Sequence, residues 1–463
     1  MKRFHLTLFI PIFILMGCMS KQDDYLALYE EGEEFPVGSL GVNSTSANAF
    51  GFEVPGLSFQ EQALFATGNS LFNQSWVSSP ASTTARDGLG PTFNARACAG
   101  CHFKDGRGKP LINGSVSSGF LMRISQPGQD KHGGPLALPN YGTQIQDRGN
   151  RGIPFEAKIT VTFDTIKGTY PDGTSYQLRK PSYSFSEEQF GEIGSVQTSP
   201  RVAQQTIGMG FISALPDNEI LKYEDEHDQN GDGISGRPNY VWNSETNEVD
   251  LGKYGWKANA PTLKVQVASA FHGDMGLTTS IFDQNNCPNP QKDCQNAHNG
   301  GEPEVEDKQL HRVLFYQAAL TVPNRRGFKE ESVLKGKKLF NSLNCIGCHA
   351  TGQVTGSFPL NPLLENVTIR PYSDFLLHDM GPGLADHRSD YNANGNEWRT
   401  QPLWGIGLIS TVNQHTFLLH DGRARNIEEA ILWHGGEAER SKQGFMNLSA
   451  EERQQLIDFI NSL

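Results

Sequence analysis

The longest apolar run of the chain lies at its start. Lys2 and Arg3 precede "FHLTLFIPIFILMG", and Cys18 follows this run directly. A basic segment, a short apolar segment and a small residue at the cut are typical of an export signal. No later apolar run approaches the ~18–20 residues that a bilayer-spanning helix needs. The pattern therefore predicts an exported protein.

The residues around the cut predict a lipid anchor. The stretch "LMGC" resembles the lipobox of a bacterial lipoprotein, in which Cys18 becomes the lipidated first residue. An ordinary signal peptide that is cut nearby is the alternative. We expect residues 1–18 to be the lipoprotein signal peptide and residues 19–50 to be a polar tether. The mature protein would lie on the periplasmic side, lipid-anchored to a bacterial membrane, where disulfides persist.

Helical periodicity recurs in two parts of the chain. "GNSLFNQ" from Gly68 and "GKKLFNS" from Gly336 share Gly-x-x-Leu-Phe-Asn within helix-like segments. "EVEDKQLHRVLFYQAALTV" and the terminal "LSAEERQQLIDFINSL" each predict a closing helix. In the terminal segment, Ser449 and Glu452 form a capping box. This repetition predicts two similar units joined by "PNRRGFKEES".

Between about 110 and 265 the pattern changes to short alternating segments. "AKITVTFDTI" and "TSYQLRK" are examples, and Gly, Pro and Asp turns separate them. Alternation with a period of two predicts strands. The first unit therefore carries a β-containing insertion, which we expect to build a pocket or a partner surface.

Length and charge narrow the class of protein. The 463 residues are too many for one typical core, so two domains are expected. The net charge of −12 argues against nucleic acid as a partner.

The seven cysteines point to the chemistry. "RACAGCHFK" and "LNCIGCHAT" both contain Cys-x-x-Cys-His, which is the attachment sequence for c-type haem. Its two thiols bond the haem vinyl groups, and the histidine binds the iron from the proximal side. A redox dithiol or a zinc site does not explain why histidine follows both times. The predicted haem residues are Cys98, Cys101, His102, Cys345, Cys348 and His349.

The remaining cysteines, Cys287 and Cys294, lie in a polar, turn-rich loop. A local disulfide is expected there, worth roughly 2–3 kcal/mol in the chain-entropy account. Together these patterns predict a mainly α fold with two cytochrome c-like haem domains. The first covers residues 51–322 with the insertion, and the second covers residues 330–463.

These residues resemble the di-haem oxidoreductase family of peroxidases, some of which are called thiol oxidoreductases. The resemblance rests on "ARACAGCHFKDGRG", "SPRVAQQTIGMG", "QNGDGISGRPN", "GKYGWKAN", "GDMGLTTS", "LLHDMGPGLAD", "EWRTQPLWGIGL" and "LHDGRARNIEEAILWHGGEA". It implies kinship with bacterial di-haem cytochrome c peroxidases. In those enzymes the C-terminal haem receives electrons from a small donor, a cytochrome c or a cupredoxin, and the N-terminal haem reduces hydrogen peroxide. Thiol oxidation has no support, since no cysteine remains for it.

For the C-terminal haem, the resemblance implies a sixth ligand fourteen residues after the histidine of a His-Asp-Gly turn. That turn begins at His420, so the ligand would be His434, where relatives have Met or Tyr. Met380 and His378 are the alternatives, and His420 would organise the turn. Trp398, Trp404 and Trp433 would lie on an electron route or simply pack the haem domain.

For the N-terminal haem, the resemblance implies catalysis by Gln146 and Glu156. They fit the relatives' Gln-x-x-Gly-x-x-x-x-Pro-x-Glu arrangement, in which the carboxylate moves a proton and the amide holds peroxide or water. A solvated carboxylate at a strand edge is the alternative. Arg148 and Arg151 would stabilise the departing hydroxide or lie on the surface. A resting sixth ligand could come from His132 or His272.

One loop has the oxygen spacing of a calcium site. Asp228, Asn230 and Asp232 precede Gly233 in "DQNGDGISGRPN", although position twelve is Asn239 rather than glutamate. Calcium binding and a plain turn are both open.

Three functions follow from the sequence. The favoured one is an exported, membrane-tethered di-haem peroxidase. The alternatives are an electron-transfer cytochrome with two saturated haems and a haem enzyme that oxidises a partner molecule.

Overall fold

The computed structural model describes residues 25–83, 85–112 and 119–463. The predicted signal peptide and Cys18 lie outside the described residues. Eleven α-helices occur in the described part: α1 Phe59–Asn73, α2 Met209–Ser213, α3 Asp217–Leu221, α4 Leu263–Met275, α5 Lys292–Gln295, α6 Asp307–Ala319, α7 Glu331–Ser342, α8 Ile409–Asn413, α9 Ile427–Trp433, α10 Glu439–Asn447 and α11 Ala450–Ser462.

The strands are mostly short. They are β1 Thr92–Phe93, β2 Phe120–Gln129, β3 Pro135–Leu136, β4 Arg148–Gly149, β5 Lys158–Thr169, β6 Ser175–Ser186, β7 Gln197–Val202, β8 Tyr240–Asn243, β9 Glu248–Leu251, β10 Gln353–Val354, β11 Thr368–Ile369, β12 Leu377–Asp379 and β13 Glu397–Arg399. Five two-stranded sheets pair β1 with β4, β5 with β6, β8 with β9, β10 with β11 and β12 with β13, and a three-stranded sheet has the order β3-β2-β7. All pairings are antiparallel.

The predicted fold class is wrong. The protein is 29% helical and 19% strand with several small sheets, so it is neither mainly α nor built from cytochrome c-like domains. The physical reason is that long turn-rich segments, with many of the 49 glycines and 25 prolines, connect short elements. Strands also occur well outside the expected insertion, as β10 to β13 show.

The repeated Gly-x-x-Leu-Phe-Asn segments lie on α1 and α7, and each packs against a later helix. A Cβ atom at Gly68 would overlap the carbonyl oxygen of Arg312 on α6, and one at Gly336 would overlap the carbonyl oxygen of Gln455 on α11. Glycine therefore lets each helix pair approach closely. The phenylalanine four residues later fills the same interface, because Phe72 lies 5.3 Å from Tyr316 and Phe340 lies 5.2 Å from Phe459, between ring centroids.

The segment from residue 25 to residue 50, part of the predicted tether, packs against the rest of the protein. Val37 and Phe50 are fully buried. Glu33 is 2% exposed and forms ion pairs with Lys337 of α7 and, at 3.5 Å, with Arg325. The start of the described chain therefore contacts the helix that leads to the second attachment sequence.

A large core runs through both halves of the chain and carries the attachment turns. A smaller cluster around Met122, Ile124 and Tyr141 lies under β2 and beside the β5–β6 hairpin. Among the described residues, no helix is both long and apolar enough to cross a membrane.

Candidate functional site

The two Cys-x-x-Cys-His sequences adopt the same local structure. Cys98–Gly100 and Cys345–Gly347 each form one turn of 3₁₀-helix, which places both thiols and the following histidine on one short segment. The histidine rings are held alike. His102 Nδ1 lies 2.6 Å from the carbonyl oxygen of Gln204, and His349 Nδ1 lies 2.9 Å from that of Tyr372.

This arrangement suits a metal ligand. A carbonyl bonded to Nδ1 makes that nitrogen the donor and leaves Nε2 as the lone-pair nitrogen for another partner. Burial lowers the pKa of His349 to about 4 and also lowers the pKa of His102. Both rings are therefore neutral, which is the form that binds a metal.

The four cysteines of the turns form no disulfide with one another. Burial raises the pKa of Cys98 and of Cys345 to about 12, and it also raises the pKa of Cys101 and of Cys348. Thiols that stay protonated are poor attacking groups in disulfide exchange. The environment therefore disfavours a redox dithiol.

The first turn lies on a cavity of about 400 Å³. Cys98, Cys101 and His102 line it together with residues of α1, β2, β7 and α6. Helix α4 contributes eight residues to the lining of this first cavity: Leu263, Val265, Gln266, Val267, Ser269, Ala270, Asp274 and Met275. Among the described residues, His102 is the only histidine in its lining, and Met209 and Met275 are the methionines.

The second turn lies on a cavity of about 230 Å³, whose lining is largely apolar. Cys345, Cys348 and His349 line it, and so do Met380 and His434. His434 Nδ1 lies 2.6 Å from the carbonyl oxygen of Ala430, one turn back along α9. Its Nε2 is thus left free in the same way as that of His349. The second cavity holds two histidines with identical anchoring.

His378 and His420 also line the second cavity, but their ring nitrogens have different contacts. His378 uses both nitrogens, since Nε2 lies 2.8 Å from Asp374 and Nδ1 lies 2.7 Å from Glu437. His420 stacks on Trp398 with ring centroids 3.9 Å apart, and its Nε2 has no hydrogen-bond partner. Burial lowers the pKa of His420 to about 3.

The histidines suggested as resting ligands of the first haem are occupied elsewhere. His132 stacks on Trp242 with centroids 3.9 Å apart. His272 stacks on Phe282, and its Nε2 lies 3.1 Å from the carbonyl oxygen of Gln284. Neither lines the first cavity.

Glu156 is buried, and both of its oxygens have partners. The Gln146 backbone N–H donates to Oε2 and the Gln291 side chain donates to Oε1, each at 2.6 Å. The Gln146 side chain donates instead to the carbonyl oxygen of Gly273 at 2.8 Å. Neither Glu156 nor Gln146 is in the lining of the first cavity. Arg148 lies 3.9 Å from Asp147, and Arg151 is exposed.

The carboxylate that does line the first cavity is Asp274, next to Gly273 on α4. The Gln144 side chain donates to Asp274 Oδ1 at 3.0 Å and to Asn94 at 2.6 Å. Burial raises the pKa of Asp274. An amide and a carboxylate are therefore adjacent at this wall, although they are not the pair expected from the sequence.

Trp256 lines both cavities, as do Gln204, Gln205, Met209 and Arg399. Its indole N–H donates to the carbonyl oxygen of Val202 at 2.8 Å, and Arg107 covers its ring at 5.1 Å. Of the three tryptophans named from the sequence, Trp398 and Trp404 line the second cavity, whereas Trp433 packs under Arg423.

The candidate calcium loop is folded as a series of turns. Asp228 accepts from the Gly233 N–H at 3.1 Å, Asn230 accepts from the Asp232 N–H at 2.8 Å, and Asn344 donates to Asp232 at 3.2 Å. Within the described ranges, no group of three or more His, Cys, Asp or Glu side chains is arranged to hold a metal ion. Calcium binding at this loop stays a prediction.

Cys287 and Cys294 are bonded to each other, with Cα atoms 5.7 Å apart. Their loop carries Gln291, so the disulfide closes the segment that contacts Glu156.

Asp274 and Trp256 are functional candidates that sequence reasoning missed. Each lies in a stretch that carried the family resemblance, "GDMGLTTS" and "GKYGWKAN". These stretches could have drawn attention to the two residues, but only the fold shows that they meet at the cavities.

Two cavities, each with a Cys-x-x-Cys-His turn and an anchored histidine, are typical of a protein with two cofactor centres. Residues 37–463 match the family described as "Di-haem oxidoreductase, putative peroxidase". Since the match covers nearly the whole chain, the chain belongs to this di-haem oxidoreductase family, whose name implies two haems. No curated protein and no solved structure matches the chain.

Proposed function

We propose that this protein is an exported peroxidase with two covalently attached c-type haems. Electrons from a small redox protein, a cytochrome c or a cupredoxin, enter at the second cavity. Hydrogen peroxide is reduced at the first cavity, where it takes two electrons and two protons and gives two waters. Haem iron supplies the redox chemistry when it is bound.

The difference between the cavities carries this proposal. His349 and His434 both line the second cavity with Nδ1 on a backbone carbonyl, so both Nε2 atoms would be available to a haem iron there. The described lining of the first cavity has one histidine, His102. A centre with fixed ligands favours electron transfer, and a centre with an open position favours reaction with peroxide.

The residues that line the two cavities fit a haem group in each. Each cavity has two protonated thiols and a neutral histidine on one short turn, and large aromatic and aliphatic side chains around them. Phe72 and Phe340 lie 6.3 and 6.1 Å from the rings of His102 and His349, so each proximal histidine packs under the same helix position. We therefore assign one haem to each turn.

Protons for the reaction must come from a group at the first cavity. We assign this role to Asp274, which lines the cavity, with Gln144 fixing its orientation. The catalytic role of Glu156 and Gln146 stays a prediction from the sequence. Their contacts support a different role, in which Glu156 holds Gln146, and Gln146 holds the backbone beside Asp274.

Export, a lipid on Cys18 and a place on the periplasmic side of a bacterial membrane belong to the same proposal. The disulfide between Cys287 and Cys294 supports an oxidising compartment. The net charge of −12 favours a donor protein with a basic surface.

The test is the EPR and visible spectrum of the purified holoprotein, fully oxidised and then half-reduced, before and after one equivalent of peroxide. We expect one low-spin centre and one high-spin centre that reacts within the mixing time. Two low-spin centres that stay inert to peroxide would refute the proposal and indicate an electron carrier. An added partner molecule that becomes oxidised only when peroxide is present would indicate a haem enzyme that oxidises a partner.

A further inference from the structure

The first cavity carries more positive than negative charge. Its charged lining residues in the described part of the chain are Arg123, Arg201, Asp274, Arg388, Asp390 and Arg399. Four guanidinium groups thus face two carboxylates, one of which, Asp274, is the proposed proton donor. Among Arg123, Arg201, Arg388 and Asp390, three guanidinium groups face one carboxylate, which leaves an excess of two positive charges.

Three of these arginines form one cluster. Arg201 and Arg388 both bind the same oxygen of Asp390, at 2.6 and 3.1 Å. Arg123 lies on β2 two residues from Leu121, the partner of Arg201 on β7. Burial lowers the pKa of Arg123 and of Arg388, and repulsion from Arg201 lowers both further. Asp390 is therefore shared, and it cannot neutralise the cluster alone.

Buried polar atoms of the cluster also lack partners. The Nε atoms of Arg123 and Arg388 are buried without a hydrogen bond. Arg388 is 1% exposed, so water does not compensate its charge. Burying a charge without a partner costs several kcal/mol, and buried N–H groups are normally satisfied. The cluster therefore has N–H donors and positive charge left for an anionic ligand besides Asp390.

We propose that Arg123, Arg201 and Arg388 bind the two propionate carboxylates of the haem at the first cavity. This inference rests on the proposed haem at Cys98 and Cys101. Two carboxylates match the excess of two charges, and guanidinium groups bind carboxylates with paired N–H donors. The cluster would then hold the propionate carboxylates by paired N–H donors and raise the potential of the first centre, because positive charge favours the reduced state. A free dicarboxylate would satisfy the same chemistry, so the experiment separates the two sources.

The experiment uses the holoprotein and the variants Arg123→Gln and Arg388→Gln, with Arg123→Lys as the charge-keeping variant. Mass spectrometry first counts the covalent haems. Redox titration then gives the midpoint potential of each centre, and resonance Raman gives the propionate-bending bands. We expect a lower potential at the first centre in both Gln variants, shifted propionate bands, and a partial return of the potential in Arg123→Lys. The second centre is the internal control.

Arg453→Gln is the matched control, because Arg453 is 5% exposed and pairs with Asp172 outside both cavity linings. We expect it to leave both potentials unchanged. Two retained haems with unchanged bands in the Gln variants would overturn the propionate assignment. Saturable shifts of the wild-type spectrum by added succinate or inorganic phosphate would also overturn it and indicate a free-anion site. If mass spectrometry finds fewer than two covalent haems in the wild type, the proposed function itself is refuted.

Discussion

Two carboxylates near the first cavity, the buried Glu156 and the partly buried Asp274, differ in what their oxygens contact. Glu156 has both oxygens bonded to protein donors, whereas Asp274 has one oxygen on Gln144 and belongs to the cavity wall. Burial raises the pKa of both. A proton donor must reach the reacting oxygen. Asp274 lines the first cavity and Glu156 does not, so the position of Asp274 fits the role of proton donor better.

We expect Asp274→Asn to lower peroxide turnover about 10²- to 10⁴-fold, the usual contribution of a general acid or base. Both haem spectra should stay unchanged, since the amide has the same shape as the carboxyl group. Steady-state turnover with a reduced cytochrome c donor measures the effect, and Glu156→Gln is the comparison. A loss of turnover confined to Glu156→Gln would return the catalytic role to Glu156.

Glu156 also predicts a pH dependence of stability. Burial raises its pKa to about 8 in the folded state, above the ordinary 4.5. The folded state therefore holds this proton more tightly than the unfolded state. The stabilisation is complete below pH 4.5 and is lost as pH rises towards 8, at up to about 1.4 kcal/mol per pH unit.

Denaturant midpoints at pH 5, 6.5 and 8 for wild type and Glu156→Gln measure this effect. The midpoint of the wild type should fall relative to that of the variant as pH rises. Parallel curves for the two proteins would show that Glu156 ionises normally.

The sixth ligand of the second haem is a third residue-scale prediction. His434→Gly should convert one low-spin centre to high spin, because the ring that shares the cavity with His349 is removed. EPR measures the change, and Met380→Leu, which alters another side chain of the same cavity, should leave the spectrum unchanged. A low-spin signal that survives in His434→Gly would move the ligand to Met380, His378 or His420.

At the residue scale, the features that could be predicted from the sequence are those carried by adjacent residues or by a fixed spacing. The attachment turns and proximal histidines are read from five adjacent residues, and the placement of His434 relied on a fixed spacing from His420. Asp274 and the arginine cluster escaped prediction because their members come from separate elements. Arg123, Arg201 and Arg388 are distant in the chain, and only folding brings them to one wall.

Among the elements, the helix pairs α1–α6 and α7–α11 depend on one glycine each. Gly336→Ala should destabilise the protein by about 1–3 kcal/mol, since the added methyl group overlaps the backbone of α11 at Gln455. Denaturant unfolding of the holoprotein measures the loss. Gly356→Ala is the control, because its Cβ would meet Pro216 at an ordinary 3.5 Å, and equal losses in both variants would contradict the close-approach argument.

Local pattern predicted single elements better than it predicted their assembly. The capping box of Ser449 and Glu452 begins α11, and the two alternating segments lie in β5 and β6. A period of two or of 3.6 is a local property, so it is visible in the sequence. Pairings such as β2 with β7 join residues far apart, and the two-residue strands are too short to leave a pattern.

At the scale of the whole molecule, Lys337 joins the first described segment to the second half. This buried lysine contacts Glu30, whose side chain is 75% exposed, and Glu33, whose side chain is 3% exposed. Glu33→Gln should cost about 3–5 kcal/mol of unfolding free energy, because it removes the buried carboxylate that Lys337 and Arg325 share. Glu30→Gln, which removes the exposed partner of the same lysine, should cost less than about 1 kcal/mol. Equal effects in a denaturant titration would show that burial does not decide the strength of these pairs.

Trp256 and four further residues, Gln204, Gln205, Met209 and Arg399, line both cavities, so the two cavities are neighbours. A charge added at one cavity changes the electrostatic potential at the other. By thermodynamic linkage, the coupling free energy is the same in both directions. Filling one centre with an electron should therefore change the affinity of the other for its own electron by the same factor in either order. The pair would behave as one cooperative unit, whose titration curve cannot be assembled from two independent centres.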